Sequence, residues 1–323
     1  AEITREESEA ASIAILLHDI GHGPFSHALE GRLVSANHEE LSLQLMRQLN
    51  DEFGGRLTMA IQIFQNEHPK HFLHQLISGQ LDLDRMDYLN RDSFYTGVME
   101  GKIGYDRIIK MFRVVDDTLM VEEKGLASIE KFLVARKIMY WQVYLHKTVL
   151  SAERMLIAAL ERARFLHSQN VIDISPTLST LLSRTWSNPN HREEIMQAFV
   201  QLDDIDIMIL LKNSIPSKDF ILGTLSLSLI QRRLFKVELS EKPIETRYID
   251  NLTKQIEEHL DIDQSTARQL VWSGEEQVEV YNGEVNQIKV YKKDNSNLNL
   301  SEISDFAYLL RIVTKYYLCY PHM

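Results

Sequence analysis

Apolar and polar residues recur at helical spacing along most of the chain, and the breaks in that pattern divide it into short helices. An apolar run, Ile13, Ile15, Leu16 and Leu17, predicts a buried helix over 5–20, which Gly21, Gly23 and Pro24 then break. A short helix is expected over 26–34. Asn37 reads as the N-cap of a helix over 38–49, with Glu39 and Glu40 in its first turn, where the helix dipole favours them. After a turn at 51–55, helices are expected over 56–65, 69–78 and 83–93, the second with Pro69 near its start. The period switches to two at 112–115 and 118–121 around Asp116-Asp117, the pattern of a small hairpin. From Ala127 to about Leu166 the pattern is that of a single long helix, with no Gly or Pro inside it. The stretch 170–190 is loop-rich and marks the expected domain boundary. Beyond it, helices are expected near 193–212, 217–235 and 244–260. A second hairpin is expected at 278–281 and 288–291 around Asn282-Gly283, and a helix or a strand over 304–319. The fold class is therefore mainly α: a helical core over 1–168 with small β-hairpins, then a C-terminal helical and hairpin lobe over 169–323 that packs on it.

Composition narrows the setting. The 323 residues are 44% apolar and 25% charged, the profile of a soluble globular protein of one large or two small domains. No run of about 18 apolar residues occurs, so no membrane partner is expected. No secretory signal is read at the start. The single cysteine, Cys319, excludes an internal disulfide and suits a reducing, cytoplasmic compartment. A formal net charge of -11 argues against a nucleic-acid coat. It leaves room for an anionic small substrate, because a metal and a few converging Lys or Arg can invert the local field. The chain opens on Ala1, so an upstream segment is expected.

Three stretches carry chemistry. The first, residues 17–30 (LHDIGHGPFSHALE), holds three histidines, an aspartate, two glycines and a proline. His18 and Asp19 are ligand types that suit a divalent transition metal. The Gly and Pro break lets His22 and His27 fold back towards the same pocket. So many ionisable groups beside an apolar run are expensive to bury without a role, although hydrogen-bonded core histidines at a polar helix end are the plainer alternative. The second stretch, 82–92 (DLDRMDYLNRD), places Asp84, Asp87, Tyr88, Arg91 and Asp92 on one helix face, flanked by Arg85. That face suits a metal, a phosphate and a hydroxylated ring; the alternative is a solvated helix laced with ion pairs. On the third, Arg136, Tyr140, Val143, Tyr144 and Lys147 share one stripe of the long helix, with His146 beside it. Arg and Lys three turns apart could clamp an extended anion, or could snorkel over their neighbours.

Together, HDIGHGPFSH, then NHEE, then DxDRxDYxxRD, then ARxxxYxxxYxHK resemble the HD-domain deoxynucleoside triphosphate triphosphohydrolases, in the branch of the SAM- and HD-domain dNTPase and its bacterial relatives. The specific motifs cover 5–165. The resemblance implies an HD-domain helical core and a divalent metal ion (Zn, Fe, Mn, Ni or Mg) on His18, Asp19 and Asp84. It implies a fourth ligand, a histidine, upstream of Ala1. It implies catalytic roles for His22, His27, Glu30 and His38, with Glu30 where relatives often carry Asp. Arg85, Tyr88, Asp92, Arg136, Tyr144 and Lys147 match positions that hold the triphosphate and the deoxyribose. The activity implied is hydrolysis of deoxynucleoside triphosphates to deoxynucleoside and tripolyphosphate, by a homo-oligomer (dimer or tetramer), with an allosteric nucleotide at a second site left open. Two alternatives stand beside it. One is another HD-type phosphohydrolase, acting on nucleoside monophosphates or signalling nucleotides. The other is a non-catalytic nucleotide-binding or assembly protein built on a structural metal.

Overall fold

Thr4 opens the first helix. Its hydroxyl accepts the Glu7 amide at 3.1 Å and the Glu7 carboxylate accepts the Thr4 amide at 2.8 Å, a reciprocal cap that satisfies two otherwise orphaned donors. The helix runs Arg5–Leu17, three residues short of the expected end, and buries Ala10 and Ala14. This computed structural model describes residues 2–281, 287–305 and 312–323. Most of them are helical, with two small sheets. The chain packs as two units that interleave along the sequence: residues 1–20, 42–145 and 277–313 form one, and residues 21–41, 146–276 and 314–323 the other. This division differs from the split near 169 expected from the loop-rich stretch, which itself contains a helix, Pro176–Ser183.

The first unit holds the Arg5–Leu17, Thr58–Phe64, His71–Gln75, Leu83–Thr96, Tyr105–Lys110 and Leu126–Met139 helices. Its core buries Met86, Leu89, Ile108, Ile129, Phe132 and Met139 almost completely. Its sheet runs in the order Phe112–Val115, Thr118–Glu122, Lys289–Tyr291, Asn297–Asn299. The first hairpin pairs Phe112 with Val121 and turns through Asp116 and Asp117, both at positive φ (47° and 57°), the twist that suits a two-residue loop. The second hairpin is not formed as expected. Trp272–Val278 lies in the other sheet, and Lys289–Tyr291 pairs in parallel with Thr118–Glu122 and antiparallel with Asn297–Asn299. Asn282 and Gly283 lie outside the described residues.

The second unit contains the Lys147–Ser168 helix, helices Pro176–Ser183, Arg192–Phe199, Asp204–Ser214, Phe220–Ile230 and Thr246–Leu260, and a sheet in the order Lys236–Ser240, Val313–Tyr320, Trp272–Val278. Of the element expected over 304–319, the strand Val313–Tyr320 is described, and 306–311 lie outside the described residues. The helix expected near 193–212 is two helices, because Asp203 caps the second through the Ile205 amide at 2.7 Å and Asp206 reciprocates. The short helix expected over 26–34 is only a 3-10 turn, Ser26–Ala28, because Phe25, Ser26 and Gly31 all take positive φ (54°, 41° and 70°).

The long helix is also corrected. It ends as an α-helix at Met139, continues as a π-turn over Tyr140–Tyr144, and stops. The Leu145 amide donates to the Tyr140 carbonyl at 2.7 Å, one residue farther back than in an α-helix. His146 is extended, and its side chain accepts the Thr148 amide at 3.2 Å, capping a new helix, Lys147–Ser168. No Gly or Pro is needed, because the wide turn is held by aromatic packing: Tyr144 meets Tyr140 edge-on at 5.4 Å and Tyr88 at 6.2 Å. Arg136 and Lys147 therefore do not share one helix face.

Phe132 is fully buried in the first unit. Phe132→Ala should cost about 3–5 kcal/mol in urea unfolding, as for other aromatic truncations in a packed core. A loss below about 1 kcal/mol would mean that the ring is not packed as described.

Candidate functional site

The early end of the first helix places His18 at its C-cap. Its Nδ1 lies 2.6 Å from the Ile15 carbonyl. A carbonyl can only accept, so Nδ1 carries the proton, and in the neutral ring Nε2 presents its lone pair. That buried Nε2 has no hydrogen-bond partner among the described residues; it lies 3.2 Å from Asp19 Oδ1 and 3.6 Å from Asp84 Oδ1. Asp84 comes from the first turn of the Leu83–Thr96 helix, which Asp82 caps through the Arg85 amide at 2.7 Å. Each of the three side chains offers a ligand atom within 4.8 Å of the others. A lone pair facing two carboxylate oxygens is repulsive unless a proton or a metal cation lies among them, and one nitrogen with two oxygens fits a divalent transition metal. Burial pulls the His18 pKa down, but Asp84, the Ile15 carbonyl and Asp19 outweigh it and raise it, and the His18 contact lowers Asp84, so the two carboxylates favour a positive charge at Nε2, whether a proton or a metal ion.

His22, His27, Glu30 and His38 form a second group, in the second unit, and the chain reaches it three residues after Asp19. Glu30 organises it. Its Oε1 lies 2.6 Å from His38 Nδ1 and accepts the His38 amide at 2.9 Å; its Oε2 lies 3.2 Å from His27 Nδ1. An ionised carboxylate only accepts, so both Nδ1 atoms carry protons and both rings turn Nε2 away from Glu30. His22 stacks on His38, with centroids 4.2 Å apart, and meets His27 edge-on at 4.6 Å. The His27 side chain is 74% exposed, while Glu30 is 27% exposed. Burial would raise the Glu30 pKa, but the His38 amide and ring and the His27 ring bring it from its ordinary 4.5 to about 2.

The expected substrate positions are distributed unevenly. Tyr144 donates its hydroxyl to Asp92 Oδ2 at 2.6 Å, and its phenol pKa is raised by burial and by that bond. Tyr88, at the edge of Tyr144, has its phenol pushed by burial to about 12. Arg136 is buried and donates from Nη1 to the Val280 carbonyl at 2.7 Å. Arg85 donates to the Gly79 carbonyl at 2.7 Å and pairs with the buried Asp82. The Nε atoms of Arg85 and Arg136 are buried without a hydrogen-bond partner among the described residues. Asp87 and Arg91 are exposed and pair with each other, so part of the face predicted on this helix is solvated and does not point inward. Lys147 is exposed at the start of its own helix.

Sequence reading missed several residues around the histidine group. Phe199 packs so closely on Gly23 that a Cβ there would lie 2.9 Å from its ring. Trp186 donates from Nε1 to Glu40 at 2.7 Å, in the first turn of the helix that His38 begins. Asp204 accepts the Phe25 amide at 2.8 Å. Glu153 is half-buried; burial raises its carboxyl pKa, while Arg154 and His27 oppose the rise. None stands in a recognisable spacing with the motif, so the sequence carried no signal for them.

Residues 1–92 match the HD domain and residues 103–175 the HD associated region. The uncharacterized protein YwfO of Bacillus subtilis is 32% identical over 71% of this chain and 53% of its own length, so the chain spans about half of that relative. The deoxynucleoside triphosphate triphosphohydrolase SAMHD1 homolog of Dictyostelium discoideum is 30% identical over 50% of this chain and 35% of its own. The crystal structure of a phosphohydrolase from Bacteroides thetaiotaomicron superposes with a TM-score of 0.93 at 49% identity, over all of this chain and 82% of that one. Among the described residues, no helix is long and apolar enough to cross a membrane.

Two outcomes test the geometry. Asp84→Ala should abolish metal retention after dialysis, read by elemental analysis, because it removes one of three donors; a full equivalent in the variant would take Asp84 out of the ligand set. Glu30 is held below its unfolded value, so its stabilisation is present above about pH 4.5 and is lost as pH falls towards about 2. The difference in unfolding free energy between the wild type and Glu30→Gln should therefore shrink across that window, and a difference independent of pH would contradict the two-histidine clamp.

Proposed function

The chain belongs to the HD-domain phosphohydrolase family, and from that premise we propose that it hydrolyses deoxynucleoside triphosphates to deoxynucleoside and tripolyphosphate. The observation that carries the reading is Glu30, which takes the Nδ1 protons of two imidazoles at once and leaves two Nε2 atoms for proton transfer. A divalent ion on His18, Asp19 and Asp84 would supply Lewis-acid stabilisation of charge on a bound phosphate. His38 Nε2 takes a proton from the attacking water. Water adds to the α-phosphorus, the bond from that phosphorus to the 5′-oxygen breaks, and His27, entering as the imidazolium with a proton on each ring nitrogen, gives its Nε2 proton to the departing 5′-oxygen and is left neutral with Nδ1–H on Glu30. His22, stacked on His38, holds that ring in place.

Two buried guanidinium Nε–H donors, on Arg85 and Arg136, support an anionic ligand such as a triphosphate, since a buried donor left unpaired is costly. The Tyr144–Asp92 pair supports recognition of the sugar: Asp92 accepts from a 3′-hydroxyl, and Tyr144 closes the space a 2′-hydroxyl would need. The resemblance to dNTP triphosphohydrolases supports a dimer or tetramer as the working assembly.

With dATP or dGTP and a divalent metal, deoxynucleoside and tripolyphosphate should appear in equal amounts by phosphorus NMR. Orthophosphate or pyrophosphate as the first product would assign the protein to another HD-type nucleotide phosphohydrolase. Lys147 is exposed and makes the cleaner probe of the triphosphate; truncating the buried Arg136 would also remove its bond to the Val280 carbonyl. Lys147→Ala should lower kcat/KM about tenfold to a hundredfold, the range for one charged contact.

A further inference from the structure

His27 stands at the end of an unfavourable piece of backbone. Phe25 and Ser26 are consecutive non-glycine residues in the left-handed region, at φ 54° and 41°. Such residues persist only where the surroundings over-determine them. The turn they form lifts His27 into solvent, yet it keeps Nδ1 within 3.2 Å of Glu30. Within the turn, Ser26 donates its amide to Gly23 and Ala28 to Phe25, each at 3.0 Å. The Phe25 amide has a partner 179 positions downstream, Asp204 Oδ1, at 2.8 Å. Asp204 is the first residue of a helix whose cap is already complete without it, through Asp203 and Asp206. Phe25 also lines, with Met208 and Leu211 of the same helix, a cavity of about 500 Å³.

We propose that Asp204 is a positioning residue for His27: its carboxylate, by accepting the Phe25 amide, holds the left-handed turn that sets where the His27 ring can donate its proton. The role rests on the assignment of His27 to proton transfer. The carboxylate makes no described contact with His27 itself, and acts through two residues of strained backbone. An acceptor is what the amide requires, and charge is secondary. Asparagine keeps an oxygen at the Oδ1 position and should do the same work; alanine should not. Asp204 is exposed and its helix retains its cap, so neither change should unfold the protein.

The test compares Asp204→Ala and Asp204→Asn in the full, metal-loaded chain. Deuterium uptake over residues 21–31 and the rate of His27 carbethoxylation, both read by mass spectrometry, report the turn and the ring without any assumption about substrate. Asp204→Ala should exchange faster over that segment and change His27 reactivity several-fold, and Asp204→Asn should restore both. On a nucleotide that the wild type hydrolyses, Asp204→Ala should lower kcat about tenfold to a hundredfold, as a misplaced group does, with KM within about twofold; Asp204→Asn should recover most of it. An asparagine variant as impaired as alanine would overturn the acceptor role. Unchanged exchange and His27 reactivity in Asp204→Ala would overturn the proposal whether or not dNTPs are the substrate. Altered exchange with unchanged His27 reactivity would overturn the link from the turn to His27, whereas altered reactivity with an unchanged kcat would overturn the assignment of His27 to proton transfer.

Discussion

Glu30 is the constraint on which the histidine group depends. A carboxylate has two oxygens and no proton, so it can take one Nδ1–H from each of two imidazoles and set the tautomer of both. It must be ionised to do so. Burial works against ionisation, and the His38 amide, supplied by the first turn of a helix, works for it. The outcome is an acceptor held in its charged form, with the two Nε2 atoms facing away from it. Glutamate has the reach to bridge His27 and His38 while its backbone sits beside Gly31, at φ 70°.

The candidate metal group follows a different logic. His18 is not oriented by a second carboxylate but by a main-chain carbonyl one turn back, Ile15. That is possible only because the helix ends at Leu17 and leaves the ring beside the last turn. The carboxylates that face its lone pair come from the next residue and from a separate helix start, Asp84, whose position depends on the Asp82 cap and on the pairing of Asp82 with Arg85. The same buried carboxylate thus caps the helix that carries a candidate ligand and partly neutralises a candidate phosphate-binding arginine. A change at Asp82 would disturb both, although Asp82 lies within neither group.

The second unit supplies support that is remote in sequence. Trp186, Phe199 and Asp204 each meet the 23–40 segment, through a hydrogen bond to Glu40, contact with Gly23 and a hydrogen bond to the Phe25 amide. Of these, the Asp204 bond reaches the turn itself, where two non-glycine residues stay left-handed beside His27.

What the sequence determined by itself is local chemistry. Ligand types, the His18-Asp19 adjacency, the Gly and Pro break, the Asn37 cap, which accepts the Glu40 amide at 2.8 Å, and the Asp116-Asp117 turn all depend on residues a few positions apart. The mainly helical class follows from the same short-range periodicity. Tertiary structure decided what short-range rules cannot see. Every residue from 127 to 166 tolerates a helix, yet the chain turns at Tyr140–Tyr144 because Tyr144 bonds Asp92, 52 positions away, and packs on Tyr88. Arg136 reads as a free cation on a polar stripe, but the Val280 carbonyl, 144 positions on, takes one of its donors. The expected 26–34 helix gives way to left-handed backbone because Asp204 and Phe199 offer that segment partners a helix could not use. In each case the deciding partner is distant in sequence, and the free energy of its contact exceeds the few tenths of a kcal/mol per residue that separate helix formers from one another.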